Sequence, residues 1–178
     1  MATQGPNYAG AAADVTIFPA PGIAWDNDGN ATGPPDGVAA SCTGPGDSFW
    51  LQLTTYGFAV PDGATITDVS VSFRVRDDDG DFPGFYIQLV KGGAGDGNEQ
   101  DLTGEVTNSF TDVTASGDIV SYWGTTLTPA EANASGFGAR CRFEGVGPFN
   151  AVYADCASIT ITYTGGVSGR LVIKARRG

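Results

Sequence analysis

Short runs in which apolar and polar side chains alternate are the main pattern of this chain. The clearest run spans residues 67–76, and its apolar positions are Val69, Val71, Phe73 and Val75. An alternation of period two places apolar side chains on one face of a β-strand and polar side chains on the other. This run therefore predicts a strand with one buried face and one wet face.

The same pattern predicts strands at several other places. They cover residues 49–53, 85–90, 106–113, 119–123, 137–143 and 152–163, with a further possible strand at 15–18. The acidic cluster at residues 77–81 separates two of these runs, so we expect a hairpin with an exposed acidic loop there. Residues 91–97 are expected to form a flexible turn.

One short helix is predicted between strands. Thr128, Pro129 and Glu131 fit a capping box, in which Thr128 is the N-cap, Pro129 is the first helical residue and Glu131 is the third. Gly136 is expected to close this connector.

About eight strands without any long helical period favour an all-β fold. The 27 glycines and 10 prolines disfavour helices and supply turns between the strands. We expect an antiparallel β-sandwich, jelly-roll-like, with one short connector helix and extended termini. The 178 residues are divided into an N-terminal arm at 1–24, a sandwich domain at 25–163 and a basic C-terminal tail at 164–178.

Charge is distributed unevenly along the chain. The formal net charge is −11, from 20 acidic and 9 basic residues, yet the tail carries four cations and no acid. The acidic body repels phosphate backbones and anionic lipids, so neither nucleic acid nor a membrane is an expected partner. No apolar stretch is long enough for a membrane helix, and the first residues lack the pattern of a secretory signal, so Sec-dependent export is not expected.

Catalytic signatures are missing from the sequence. The chain has no histidine, no Gly-x-Ser-x-Gly nucleophile elbow and no phosphate-binding loop. Carboxylate pairs must occur by chance among 20 acids, so they carry no specificity. We expect neither enzymatic activity nor a cofactor.

The three cysteines are expected to be free thiols. Cys42, Cys141 and Cys156 are odd in number and form no Cys-x-x-Cys pair. Alternation places Cys141 in the core. The parity of the last strand places Cys156 on the opposite face, so a bridge between Cys141 and Cys156 would require a bulge.

Two acidic segments were considered as calcium sites. Asp77, Asp78, Asp79 and Asp81 do not fit an EF-hand loop, and Asp26, Asp28 and Asn30 fit its first spacings but are followed by Gly37 at the position of the bidentate Glu. Solvated loops without metal are favoured for both segments.

Four aromatic residues have two interpretations. They are Trp50, Tyr56, Trp123 and Tyr153. Exposed aromatic rings would stack on sugars, whereas the favoured interpretation places these residues in the core or in subunit contacts.

Several motifs together resemble a β-sandwich domain of tailed-bacteriophage virion proteins, found in head decoration, fibre and tail-associated proteins. They include Trp25, residues 56–66 (YGFAVPDGATI), residues 122–124 (YWG), residues 127–129 (LTP), residues 133–138 (NASGFG) and residues 159–163 (ITITY). The resemblance covers about residues 25–163. It implies a non-enzymatic structural role on a virus particle that is assembled in the cytoplasm of the bacterial host.

The two terminal segments lie outside the resemblance and are the candidate partner-binding sites. Their residues are Val15, Ile17, Phe18, Arg170, Leu171, Ile173, Lys174, Arg176 and Arg177. Apolar residues beside cations suit an added strand on an acidic neighbour. The first hypothesis is a capsid decoration protein, a small cyclic homo-oligomer with a trimer favoured, that binds the major capsid protein or another virion protein. The alternatives are a tail or head-fibre module that binds host glycans, and a free carbohydrate-binding or hydrolytic protein.

Overall fold

The computed structural model describes residues 1–16, 22–78, 84–147 and 150–166. The described chain contains ten strands, one short 3-10 helix at Asp28–Ala31 and one helical turn. The strands are β1 (Ala2–Tyr8), β2 (Ala11–Val15), β3 (Ala40–Thr43), β4 (Trp50–Thr54), β5 (Ala64–Asp77), β6 (Gly84–Lys91), β7 (Ala94–Asp101), β8 (Thr111–Asp118), β9 (Gly138–Glu144) and β10 (Ala151–Gly165), and the helical turn is α1 (Pro129–Ala132).

Two antiparallel sheets form the fold, which confirms the predicted all-β sandwich. Sheet A has the order β1-β10-β5-β8, and β3 pairs with β10 beside β1. Sheet B has the order β2-β4-β9-β6-β7. The two long strands β5 and β10 pair over almost their full lengths and form the centre of sheet A.

The core lies between the sheets and follows the predicted alternation. Val69, Val71, Phe73 and Val75 of β5 are fully buried, whereas the residues between them are only partly buried. Sheet B supplies a cluster of aromatic rings, in which Phe85 and Phe143 have centroids 4.8 Å apart. Burial of these side chains is the main stabilising contribution expected for a fold of this size.

The predicted hairpin across the acidic cluster is wrong. The strand before the cluster, β5, lies in sheet A, and the strand after it, β6, lies in sheet B. Residues 77–84 therefore connect the two sheets. A hairpin within one sheet and a connection between two packed sheets show the same alternation. In either arrangement each strand has one apolar face.

The first 15 residues differ from the expected separate arm. Strand β1 pairs with β10, and β2 pairs with β4, so this segment contributes one edge strand to each sheet. Side-chain bonds add to this attachment, because the Gln4 amide both donates to and accepts from the backbone of Ala59. Small residues in β1 and β2 hid these strands from a search for apolar alternation.

Three further local predictions are wrong. The strand predicted at residues 106–113 begins only at Thr111, as β8. Residues 119–123 form a turn, because the Asp118 carboxylate accepts hydrogen bonds from the backbone N–H groups of Val120 and Ser121. Residues 94–101 form β7 rather than a continued flexible turn, and Gly92 and Gly93 make the tight connection from β6 with positive φ.

The predicted capping box is confirmed at α1. The Thr128 hydroxyl accepts from the backbone N–H of Glu131, and the Glu131 carboxylate accepts from the backbone N–H of Thr128 at 2.8 Å. The helix ends at Asn133, whose side-chain amide bonds both the N–H and the C=O of Val60. This connector is thereby attached to the segment that leads into β5.

All three cysteines are free, as predicted, and all three are buried, which was predicted only for Cys141. Cys141 lies in the core between the sheets. Cys156 pairs with Arg74 next to a bulge in β10, on the outer face of sheet A, so the two thiols lie on different faces of the sandwich.

Candidate functional site

Most of the predicted partner-binding residues lie outside the described residues. These are Ile17, Phe18, Arg170, Leu171, Ile173, Lys174, Arg176 and Arg177. Val15 is described and ends β2 opposite Trp50, at the start of β4. The last described residue before the tail, Gly166, lies against Pro61 and Ala64. These two residues follow the other end of β4 along the chain. The structure therefore does not bring Val15 next to the start of the tail.

The aromatic residues considered for sugar stacking are taken up by packing. Trp123 is fully buried, and its indole N–H donates to the carbonyl of Val69 at 2.9 Å. Tyr56 is buried and stacks on Phe58 at 6.2 Å between centroids. Burial raises the pKa of the Tyr56 hydroxyl far above its usual range. The core interpretation therefore holds for both residues.

Trp50 lies on the outer face of sheet B but is covered by arginines. The guanidinium of Arg140 lies 4.2 Å from the Trp50 ring centroid, and that of Arg142 lies 5.1 Å away. Arg142 also lies 4.4 Å from the ring of Tyr86. Only 5% of Trp50 remains exposed, so its ring offers no open platform.

A similar stack covers Tyr153 on the outer face of sheet A. The Arg76 guanidinium lies 3.9 Å from the Tyr153 ring centroid and 5.2 Å from that of Phe110. The Tyr153 hydroxyl donates to the Asp78 carboxylate at 2.9 Å, and Asp78 also pairs with Arg76. Trp50, Tyr56 and Trp123 therefore present no open ring face, and Arg76 covers one face of the partly buried Tyr153 ring.

All five cations of the sandwich body are engaged by neighbouring side chains. Arg74 pairs with Asp112 and Asp155, Arg76 with Asp78, Lys91 with Asp96 and Glu131, Arg142 with Glu99 and Glu144, and Arg140 hydrogen-bonds Gln88. The remaining acids give the body a strongly negative surface. Such a surface favours cationic partners.

The acidic segments considered for calcium have structural roles where they are described. Asp79 and Asp81 lie outside the described residues, and Asp77 is buried. In the described ranges, no group of three or more His, Cys, Asp or Glu side chains is arranged to hold a metal ion. The backbone N–H and C=O of Asp26 both form hydrogen bonds with the backbone of Ser41, which attaches this segment to β3.

The titratable groups with shifted pKa values support structure rather than nucleophilic chemistry. Burial raises the pKa of the Cys42 and Cys156 thiols to about 12 and that of Cys141 well above its usual value. A thiol of this kind stays protonated and unreactive at neutral pH. The Asp118 pKa is lowered by hydrogen bonds from Ser121 and Val120, which suits a turn-capping carboxylate.

An apolar groove opens on the described surface at one end of the sandwich. It has a volume of about 270 Å³ and lies between the start of β5, the turn after β8 and the start of α1. Ile66, Val120, Leu127 and Pro129 form its apolar lining, and threonines lie among them. Val120 is 61% exposed. A strand predicted at residues 119–123 leaves no place for this groove, whereas Asp118-x-x-Ser121 is a turn signal that indicates it.

Comparisons with known proteins give a likeness of fold. No protein-family model matches the chain, and no curated protein matches it. Among the described residues, no helix has the length and apolar character needed to cross a membrane.

Similar solved structures include carbohydrate-binding modules. A structure described as "CBM4 structure and function" has 15% identity and a TM-score of 0.37, with 76% of this chain and 90% of that chain covered. The CBM35 of Paenibacillus barcinonensis has 14% identity and a TM-score of 0.35, with 93% and 100% covered. The CBM22-1–GH10 modules of Clostridium thermocellum xylanase 10B have 11% identity and a TM-score of 0.40. That match includes 94% of this chain but only 27% of the xylanase chain. At these values the likeness concerns the general β-sandwich fold alone.

Proposed function

We propose that this protein is a non-enzymatic structural protein of a tailed-phage particle, and that it decorates the outer shell of the capsid. Its partner is the major capsid protein or another virion protein, reached through its terminal segments. It acts as a small cyclic homo-oligomer, with a trimer favoured. Its location is the virion, after assembly in the host cytoplasm.

The observation that carries this proposal is the architectural use of the residues behind the resemblance. Asn133 joins α1 to Val60, Trp123 bonds Val69, and Thr128 caps α1. Trp25 packs on Phe143 and donates from its indole N–H to the carbonyl of Phe49. The motifs therefore specify a scaffold. Three of the four candidate sugar-stacking residues are buried, and Arg76 covers one face of the fourth, Tyr153.

The negative surface and the apolar groove suit polypeptide partners. The body presents a negative surface whose cations are engaged, and the described part of the chain has an apolar groove at one end. A tail with four cations supplies the opposite charge for an acidic partner. These features fit docking onto a protein shell.

An add-back experiment tests the proposal. Purified protein is mixed with particles that lack it, and bound protein is quantified after sedimentation; the same preparation is applied to an array of bacterial surface glycans. We expect saturable binding to the particles and no glycan signal. Glycan binding without particle binding would replace this proposal with the carbohydrate-binding alternative.

The tail provides a matched comparison. Deletion of residues 167–178, which leaves β10 intact, is expected to impair particle binding, whereas the circular dichroism spectrum of a β-sandwich is retained. Unchanged binding by the truncated protein would contradict the role given to the tail.

A further inference from the structure

The groove at the α1 end of the sandwich exposes an apolar side chain that the fold holds in place. Val120 follows Asp118, whose carboxylate accepts from the backbone N–H groups of both Val120 and Ser121. Within the described residues, only Met1 and Val38 are other large hydrophobic side chains with comparable exposure. Val120 is therefore fixed in an outward position beside Ile66 and Leu127.

The size of the groove suits side chains of a peptide. Pockets that enclose whole small ligands usually measure about 300–1,000 Å³, and this groove measures about 270 Å³. It is open and lined mainly by aliphatic groups. A pair of aliphatic side chains from an extended segment matches this shape.

The described chain ends at the wall of the groove. A Cβ built on Gly166 would lie 3.0 Å from the Cβ of Pro61 and 3.3 Å from that of Ala64, and Ala64 lines the groove. Gly165 and Gly166 have φ values of 71° and 92°, so the backbone turns out of the line of β10 there. Leu171 follows five residues later and is within about 17 Å of this point when the chain is extended.

The sequence beyond Gly166 matches the groove in polarity and charge. Residues 167–178 contain the apolar run Leu171-Val-Ile173 and four cations, with no acid. Acids lie next to the lining residues along the chain: Asp62 precedes Ala64 by two positions, Asp118 precedes Ile119, and Glu131 follows Pro129 by two positions. Glu131 is also paired with Lys91, but the body as a whole carries an excess of acids, so cations on either side of the apolar run would meet a surface of opposite charge.

We propose that Leu171 and Ile173 dock in this groove of their own chain. Side chains two positions apart share one face of an extended segment, so both can enter together. Tethering favours this occupant over a free one, because short linkers give effective concentrations in the millimolar range. Under the proposed function, docking would present Arg176 and Arg177 at one end of the sandwich, toward the shell.

Disulfide trapping in the purified full-length protein tests the docking without any particle. The first variant carries Val120→Cys with Leu171→Cys, and the second carries Thr126→Cys with Ile173→Cys. Both groove positions are exposed, so folding is expected to be retained and is checked by circular dichroism. The native thiols do not compete, because burial keeps their pKa values high.

The control pairs Leu171→Cys with Val38→Cys. Val38 is 53% exposed and precedes β3, which pairs with β10 at the end opposite Gly165. We expect an intramolecular disulfide to form at least about tenfold faster in one or both groove variants than in the control. Mass spectrometry and non-reducing gels separate it from a dimer.

Two outcomes would overturn the inference. Equal rates in the groove variants and the control would show that the tail does not dock. A disulfide-linked dimer as the main groove product would assign the groove to the tail of a second copy. Neither outcome depends on particle binding, so a failure here is distinguishable from a failure of the proposed function.

Discussion

The two ends of the sandwich are closed in different ways. At the end where β4 starts and β9 finishes, Trp25 covers the core, packs on Phe143 at 6.1 Å between ring centroids and is buried. Its backbone N–H donates to both carboxylate oxygens of Asp14, at 3.0 and 3.1 Å. At the other end, α1 and the turn after β8 leave the apolar groove open.

This difference separates stability from binding. A buried side chain at one end contributes apolar burial and fixed hydrogen bonds, whereas an open apolar groove at the other end contributes surface for another segment. The Trp25 end is therefore expected to support the fold, and the groove end is expected to support contacts. The following variants test that division, from the largest expected effect to the smallest.

Trp25→Ala is expected to reduce the free energy of unfolding by about 3–5 kcal/mol, because it removes a buried ring and leaves a cavity. The matched change at the open end, Val120→Ala, is expected to shift it by no more than about 0.5 kcal/mol. Urea denaturation followed by fluorescence measures both. Similar losses in the two variants would contradict the contrast between the ends.

Asn133→Ala is expected to cost about 1–3 kcal/mol, because it removes both amide bonds to Val60 and leaves backbone groups there without their partner. Asn98→Ala is the control, since Asn98 is exposed and donates one bond, to Tyr122. Thermal unfolding compares the two. An equal loss of stability in Asn98→Ala would contradict the view that Asn133 stabilises the fold by attaching α1 to the segment before β5.

Thr128→Ala is expected to cost about 1 kcal/mol through loss of the N-cap of α1. The control is Thr126→Ala, because Thr126 is exposed and lies two residues earlier. This change is expected to leave the free energy of unfolding nearly unchanged. Chemical denaturation resolves this difference. A neutral Thr128→Ala variant would show that the capping box does not stabilise the groove end.

The smallest effect is expected in acid. Hydrogen bonds from the backbone and hydroxyl of Thr128 lower the pKa of Glu131, so its contribution is present above the usual carboxyl pKa and is lost as the pH falls through the lowered value. Glu131→Gln is therefore expected to flatten the fall in melting temperature below about pH 4.5 slightly. Parallel pH profiles for the variant and the wild type would contradict this linkage.

The sequence predicted the strands that have one clear apolar face and the capped helix, because both depend on local patterns. Val69 to Val75 and the Thr128 box illustrate this. It could not predict which sheet each strand joins, since β5 and β6 satisfy the same alternation in a hairpin and across a sandwich. It also missed β1 and β2, whose small and polar residues are held by pairing with β10 and β4 rather than by their own apolarity.

The candidate site was less accessible to sequence reasoning. Coverage of Trp50 by Arg140 and Arg142 depends on strand register, in which β4 lies beside β9. The groove combines the start of β5 with residues about 55 to 65 positions later in the chain. No local motif indicates contacts between residues so far apart in the chain. The positive charge of the tail, in contrast, is evident from composition alone.

The proposed role of this protein is that of a structural component of a particle shell. The most direct measurement is its copy number per purified virion, by quantitative mass spectrometry against the major capsid protein. The account predicts many copies, in a fixed ratio to that protein. A handful of copies would place it in a tail or fibre, and its absence from the particle would contradict the claim.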